Sequence, residues 1–468
     1  MIFHQKKMIF FIISILAVSL SVISGNSYFA LLVSGLLIIL TFLNRETGLL
    51  LLLLYFPLRP FLIEMNPGLK ITGDLIILAL LIWTVYYNRN NIRSLFQFEL
   101  FEIALFAFCI IGVISALFTG VELISIISQI RAYILLYLVY YTVKRMPITD
   151  EFIFKSILLT FITAVIISLH GFVEKISDKT FLLPEAWINR TLSATNHVRV
   201  YGLLKGPNEL ALYLLIAFIL SLFLLTRFSG WKKWSVFAGL SIIGTTFFLT
   251  YSRGAFLSLI IFFIIYLLLF RNIKKLIPVA AIIISSTVLF FAVTTIAESV
   301  QETMNSNNTT GYKRYTEAFS KDTVEKSGTD GRIYYVTKAI EVFKSHPIIG
   351  TGFGTFGGAA AFAYSSPIYE KFNINSRIYS DNQYILTLAE TGIIGVLALS
   401  IFVLSILFII IKAFKQSKDQ LSIILIFFFT TMLVGGLVYN ILENDTFMLY
   451  YFLVLGLTFQ RFNKAKNH

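Results

Sequence analysis

Fourteen predominantly apolar runs leave this chain few ways to fold: 8–24, 28–43, 47–63, 74–87, 100–118, 122–141, 152–170, 207–226, 235–251, 255–270, 277–297, 383–411, 421–440 and 446–460. A helix of about 20 apolar residues crosses the hydrocarbon of a bilayer. Within that hydrocarbon only helices and closed barrels satisfy their own backbone groups. The runs therefore predict an all-α polytopic membrane bundle of about fourteen transmembrane helices, with twelve to fourteen allowed. Of the 468 residues, 57% are hydrophobic and only 13% charged, and the mean hydropathy of +0.81 excludes an ordinary water-soluble domain. The first run follows Lys6 and Lys7 with no small-residue cleavage site after it, so it reads as a retained first helix. Cys109, the single cysteine, falls inside a predicted span, which excludes a disulfide and a cysteine-based metal site.

A formal net charge of +13 would suggest nucleic acid in a soluble protein. Here the distribution of charge decides otherwise. With the N-terminus in the cytoplasm, Lys6, Lys7, Arg45, Arg89, Arg93, Lys144, Arg145, Lys232, Lys233, Lys274, Lys275 and Lys412 all fall on the cytoplasmic side, while the short outer loops hold Lys70. This is the positive-inside pattern, so most of the basicity is topogenic and both termini are expected in the cytoplasm. Two long hydrophilic segments, 171–206 and 298–382, then lie on the outer face. The expected division is 1–170 with the first seven spans, a first outer loop at 171–206, four spans in 207–297, a large extracytoplasmic loop at 298–382, and three spans with a cytoplasmic tail in 383–468. The polar patch 301–311 reads as a mobile loop start.

Arg253 stands in Tyr251-Ser252-Arg253-Gly254 between two apolar runs. A guanidinium near the hydrocarbon costs roughly 2.5–3.5 kcal/mol even on the lenient insertion scale. It either snorkels to the headgroups or meets an anionic partner. Before the eighth run come Arg199-Val200-Tyr201-Gly202 and Gly206-Pro207-Asn208-Glu209-Leu210-Ala211. The glycines allow a tight, close-lying backbone and Pro207 is preset for a first helical turn. Free amides at that helix start, with Arg199 beside them, form an anion site; plain helix capping is the alternative.

The large outer loop contains Asp330-Gly331-Arg332, then a stretch over 332–344 with Ile333, Val336, Ile340 and Phe343 near helical spacing. This predicts an amphipathic helix on the outer face of the bundle. Arg332 at its start opposes the helix dipole, which suits an anionic ligand or Asp330 as partner. Glycines 350, 352, 354, 357 and 358 indicate a loop with unusual backbone angles, but no strand precedes them and no phosphate-loop lysine follows. Asp381 falls where a helix cap is expected. Glu390, one or two turns into the twelfth run, needs a water-filled cavity or a basic partner. Arg59 and Arg131 lie within spans, where they either pair with Glu64 or Glu122 or line a lipid-phosphate path. The five histidines are scattered and offer no metal cluster.

In this order, Ser252-Arg253-Gly254, Gly331-Arg332, His346-Pro347-Ile348-Ile349-Gly350-Thr351-Gly352 and Asn382 through Glu390-Thr391-Gly392-Ile393-Ile394-Gly395 resemble the O-antigen ligase and polymerase family. The upstream Arg199-Val200-Tyr201-Gly202 and Gly206-Pro207-Asn208-Glu209 extend the likeness over about residues 199–400. The resemblance implies a membrane glycosyltransferase of the bacterial cytoplasmic membrane with its active site on the outer face. Its substrates would be polyprenyl-pyrophosphate-linked oligosaccharides, it would use no nucleotide sugar, metal or other cofactor, and its partners would include other polysaccharide assembly and export proteins. Under this reading Arg253 and Arg332 are catalytic and, with Arg199, grip the donor pyrophosphate, whose oxygens suit a planar guanidinium fork. Tyr201, Asn208, Tyr251, Asn382 and Glu390 are the substrate-binding candidates.

The chain departs from the family at Asp381, where ligases typically carry a histidine that serves as the proposed base. A carboxylate with a reference pKa of about 3.9 is a weak base at neutral pH. Asp381 is therefore expected either to take the acceptor's proton or to orient sugar hydroxyls. The missing histidine favours polymerisation of repeat units over ligation of finished glycan to a lipid, wall or protein acceptor. A flippase of lipid-linked oligosaccharide fits less well, because the polar mass lies on one face and no repeated halves are visible.

Overall fold

The computed structural model describes residues 2–303, 331–374, 378–416 and 420–466. Most of the polar patch 301–311, and Asp330 as the expected partner of Arg332, lie outside the described residues. Among the described residues there are fifteen long helices: α1 (Ile2–Ser24), α2 (Ser27–Leu43), α3 (Arg45–Met65), α4 (Thr72–Tyr87), α5 (Leu100–Thr119), α6 (Leu123–Arg145), α7 (Asp150–Ile176), α8 (Pro207–Ser221), α9 (Gly230–Leu249), α10 (Arg253–Phe270), α11 (Ile277–Thr303), α12 (Arg332–Ser345), α13 (Gln383–Gln416), α14 (Gln420–Gly435) and α15 (Asp445–Lys466). No strand occurs among the described residues. The chain is an all-α polytopic membrane protein.

Each of the fourteen apolar runs coincides with one of these helices. Among the described residues nine helices are long and apolar enough to cross a membrane, while Met8–Ser24, Ser27–Leu43 and Gln420–Gly435 are apolar but shorter. The helix boundaries follow local chemistry. Asn44 ends α2 by donating its backbone N–H to Leu40, and starts α3 by accepting from the amides of Glu46 and Thr47. Glu99 and Glu102 form a reciprocal capping box at the start of α5, a pairing that satisfies two orphan amides at once.

The chain divides into two compact units: Met1–Tyr87 with Tyr141–Arg314, and Asn88–Tyr140 with Tyr315–His468. In the first unit α8 is buried along nearly its whole length, from Leu210 to Ser221, as expected of a helix apolar on every side. Small hydroxylated residues bring α9 and α11 together: Thr245 Oγ1 donates to the Ser286 carbonyl at 3.1 Å and Ser286 Oγ to the Ser241 carbonyl at 3.1 Å. Packing through small residues and interhelical hydrogen bonds is the usual glue between helices in lipid.

In the second unit α5 and α13 pack along each other, and Tyr137 on α6 donates to the buried Glu102 carboxylate at 2.6 Å. Three expectations are corrected here. The helix expected at 332–344 is present as α12, but Ile333 and Ile340 of its predicted packing face are 49% and 42% exposed. The helix packs instead through Tyr335, Ala339 and Val342 against Phe356, Ile368, Tyr369 and Phe372, because small Ala339 and Val342 allow close approach while Lys338 bridges to the Phe372 carbonyl. The run 383–411 is not one continuous helix. Gly392, at φ 58 and ψ −161, breaks α13, a conformation essentially reserved for glycine. Finally, α14 stops at Gly435, five residues before the end of the run 421–440, and Gly436–Asn444 forms a polar connection held by side-chain contacts.

Candidate active site

In the first unit the candidate residues gather at one corner. Leu249 and Thr250 end α9, Tyr251 turns the chain at φ 50, and Arg253 opens α10. The segment before α8 runs alongside, with the Val200 amide on the Leu249 carbonyl at 3.1 Å. Arg199 is only 6% exposed. Its Nε donates to the Thr250 carbonyl at 2.7 Å, and its terminal nitrogens to Asn208 Oδ1 at 2.6 Å and Asn196 Oδ1 at 3.4 Å. Ser252 Oγ also reaches Asn208 Oδ1, at 3.4 Å. Asn208 thus joins the start of α8 to the start of α10. Neither Gly206 nor Ser252 supplies a side-chain cap bond, so two positive helix ends meet at one place.

Arg253 is exposed at that place, and no hydrogen bond or ion pair joins it to the other described residues. Arg199, expected to display its charge beside the helix start, is spent on holding the corner. Tyr251 is buried, with its ring edge-on to Phe290 at 6.0 Å. Tyr201 is half-buried, and its ring lies 4.8 Å from Lys179 Nζ. Gly202 has a positive φ of 60, whereas Gly206 is extended with open space where a Cβ would stand.

A buried carboxylate that sequence reasoning missed underlies this corner. Glu174, at the end of α7 and 1% exposed, accepts the amides of Tyr201 at 3.0 Å and Gly202 at 2.6 Å. Lys179 pairs with it at 2.5 Å and also reaches the Arg199 carbonyl. The signal available was a lone acidic residue just past the end of an apolar run, where a membrane protein seldom places one without a partner.

In the second unit, the glycine loop 350–358 is knitted into α5 and α13. Ser115 Oγ donates to the Gly350 carbonyl at 2.6 Å, the Phe353 amide to Gly112 at 3.0 Å, and the amides of Thr351 and Gly352 to the carbonyls of Ala389 and Glu390 at 3.1 and 2.7 Å. Glycine is required at 352 on two counts: its φ is 96, and a Cβ there would collide with the backbone of Ala116. Glu390 was expected to face a water-filled cavity or a base. It is 1% exposed, and its Oε1 accepts the amides of Thr355 and Phe356 at 3.0 Å each. Backbone N–H groups take the part of the expected cation.

Arg332 is the exposed first residue of α12, a helix whose N-cap, Gly331, supplies no side-chain bond. Its guanidinium reaches the Val438 carbonyl at 3.4 Å. Asn382, not Asp381, caps α13: Asn382 Oδ1 accepts the amides of Tyr384 at 2.9 Å and Ile385 at 3.1 Å. Asp381 stands just outside at φ 47, half-buried. Asn440 binds Ser380 Oγ at 2.9 Å, the Asn382 amide at 3.1 Å and the Gly357 carbonyl at 3.1 Å, so the 436–444 connection holds the Asp381 segment and the glycine loop together. Asn440 and Glu443 were missed as well, although Asn440 ends the run 421–440 and Glu443 lies in the short gap before the run 446–460.

Both units therefore define the same class: a polytopic helical membrane protein with arginines at uncapped helix starts. Residues 238–400 match the family model described as O-Antigen ligase. The matched stretch is similar to that family and includes Arg253, Arg332, Asp381, Asn382 and Glu390, and the similarity supports a ligase- or polymerase-type membrane enzyme. No curated protein matches the chain.

Proposed function

We propose that this protein is a membrane glycosyltransferase that polymerises polyprenyl-pyrophosphate-linked oligosaccharide repeat units into a cell-surface polysaccharide on the outer face of the bacterial cytoplasmic membrane. The observation that carries the reading is Arg253, an exposed guanidinium without a protein partner among the described residues, set at two uncapped helix starts. A cation at a helix N-terminus is unfavourable on its own, and an anion between the amides and the guanidinium relieves both. A lipid pyrophosphate is such an anion, and charge grows on it as the glycosyl bond breaks, so the guanidinium acts most strongly in the transition state. Arg332, likewise exposed at an uncapped start, is assigned to anionic substrate in its own unit. These groups do the electrostatic work that a metal performs elsewhere.

Arg199, Asn208 and Tyr251 are positioning residues in this scheme, as is Glu390, which shapes the glycine loop. Asp381 and the exposed part of Tyr201 contact sugar, with Asp381 orienting hydroxyls. Polymerisation is preferred to ligation because Asp381 stands where a ligase carries histidine.

The test is purified protein in liposomes with polyprenyl-pyrophosphate-linked oligosaccharide isolated from cells lacking this protein, in a chelator-containing buffer. A ladder of products that collapses in Arg253→Ala supports the proposal. One glycan moved onto a foreign acceptor converts the assignment to ligase. Transbilayer movement without new glycosidic bonds removes the transferase reading.

A further inference from the structure

Glu443 lies in the connection between α14 and α15, outside every apolar run. Its carboxylate is half-buried and has an organised setting: Gln129 Nε2 donates to Oε1 at 2.7 Å, while the Ala359 amide and the Tyr379 hydroxyl donate to Oε2 at 3.0 and 3.2 Å. Gln129 itself is 1% exposed, and its Oε1 is buried without a hydrogen-bond partner. Both oxygens border the bare face of Gly358, where an added Cβ would lie 2.8 Å from Glu443 Oε1 and 3.4 Å from Gln129 Oε1. An orphaned buried acceptor beside a carboxylate is an arrangement that lacks a donor, and a sugar hydroxyl supplies one. Tyr379 belongs to the Tyr379–Asn382 segment that also carries Asp381, so the carboxylate adjoins the candidate acceptor residues.

We propose that Glu443, with Gln129 beside it, receives the acceptor sugar's hydroxyl and takes its proton during transfer. This rests on the transferase reading above. In the step, the hydroxyl proton passes to Glu443 Oε1 as the hydroxyl oxygen forms a bond to the donor's anomeric carbon. The anomeric carbon–oxygen bond to phosphate breaks, and its electron pair leaves with the lipid pyrophosphate. Glu443 then returns the proton to water.

Burial holds the Glu443 carboxyl above the usual carboxylate range, against the pull of its bonds to Gln129, Ala359, Tyr379 and Asn440. A carboxylate shifted toward neutrality is a more effective proton acceptor than an ordinary one. The titratable or charged groups facing it are Tyr379 before α13, Glu390 on α13 and Tyr133 on α6.

The experiment uses the liposome assay with the isolated lipid-pyrophosphate oligosaccharide, measuring kcat, the donor KM and the pH profile for wild type, Glu443→Gln, Glu443→Asp and Tyr379→Phe. Glu443→Gln is expected to lower kcat by about 100-fold or more with the donor KM little changed, the scale of a lost general base, and Glu443→Asp to recover part of the rate. Tyr379→Phe removes a donor that favours the anion, so the acidic limb of its profile moves to higher pH. A Glu443→Gln rate within about 3-fold of wild type overturns the inference. If Glu443→Gln is not recovered folded, an unmoved acidic limb in Tyr379→Phe overturns it instead. Wild type forming no glycosidic bond would overturn the transferase reading itself, whereas an active wild type beside an active Glu443→Gln sinks only the role of Glu443.

Discussion

Arg332 and Asn382 hold adjacent carbonyl oxygens: the Arg332 guanidinium donates to Val438 at 3.4 Å and Asn382 Nδ2 to Leu437 at 3.1 Å. The start of α12 and the cap of α13 are thereby tied to one connection, and Arg332 comes beside the Asp381 segment. One long hydrogen bond occupies only part of a guanidinium with five N–H donors. The remainder stays available for phosphate oxygens.

Arg253 makes no described contact that folding would lose, so Arg253→Ala should leave the thermal melt nearly unchanged, within the roughly 0.5 kcal/mol typical of surface substitutions. Transfer should fall by about 100- to 1,000-fold, the scale for deleting one preorganised donor to a developing anion. Arg253→Lys should recover only a fraction, because a point charge cannot fork across two oxygens. Rates and melting curves of the same reconstituted samples check both halves.

Arg199 and Glu174 should behave in the opposite way. Removing Arg199 strands the Thr250 carbonyl and leaves Asn208 Oδ1 only its long bond from Ser252 Oγ, and Glu174→Gln weakens the acceptor shared by two amides and Lys179. Each change is expected to cost roughly 2–5 kcal/mol, read as a lower melting temperature and poorer recovery from detergent before any rate is measured.

Gly352→Ala places a Cβ against the Ala116 backbone at a φ of 96, and should prevent the glycine loop from seating on α5. Gly206→Ala, with nothing within 4 Å of its Cβ and an extended φ of −160, should fold normally. Size-exclusion profiles of the two variants side by side make the comparison.

Tyr369, packed under α12, has its phenol pushed up to about 12 by burial. In the folded state it keeps its proton at a pH where the unfolded chain, titrating at about 10, loses it. Its contribution is therefore fully present below about pH 10 and is lost as pH rises through about 12. Tyr369→Phe should lose less stability over that interval, by at most about 2–3 kcal/mol, in denaturation curves collected at increasing pH.

The helices were legible because lipid forces the chain to declare them: every long apolar run holds helix, although Gly392 breaks the run 383–411 and the run 421–440 is helical only to Gly435. Arg253 was legible for a related reason, as a charge placed where a membrane protein seldom keeps one, and Arg332 as a cation at an expected helix start, where it opposes the dipole. Functions of single side chains were less so. Asp381 and Asn382 are both good caps, and only the backbone angles, with Asp381 at φ 47, show that Asn382 does the capping. Glu390 was singled out for its cost, but nothing nearby in the chain shows that two amides from residues 355 and 356 meet it. Arg199 and Glu174 are separated by 24 intervening residues, and their link through Lys179 depends on how the 177–200 segment folds back.

The break at Gly392 carries a consequence for biogenesis. The amides of Ile393 and Ile394 leave their own helix and bond to the carbonyls of Pro347 and Ile348 at 2.9 and 3.1 Å. Released alone into lipid, this segment would carry bare N–H groups, each costing several kcal/mol. The stretch around residue 348 is synthesised first, and it must already wait at the right depth when the later segment leaves the insertion machinery. Timing during translation thus becomes part of how this molecule is built.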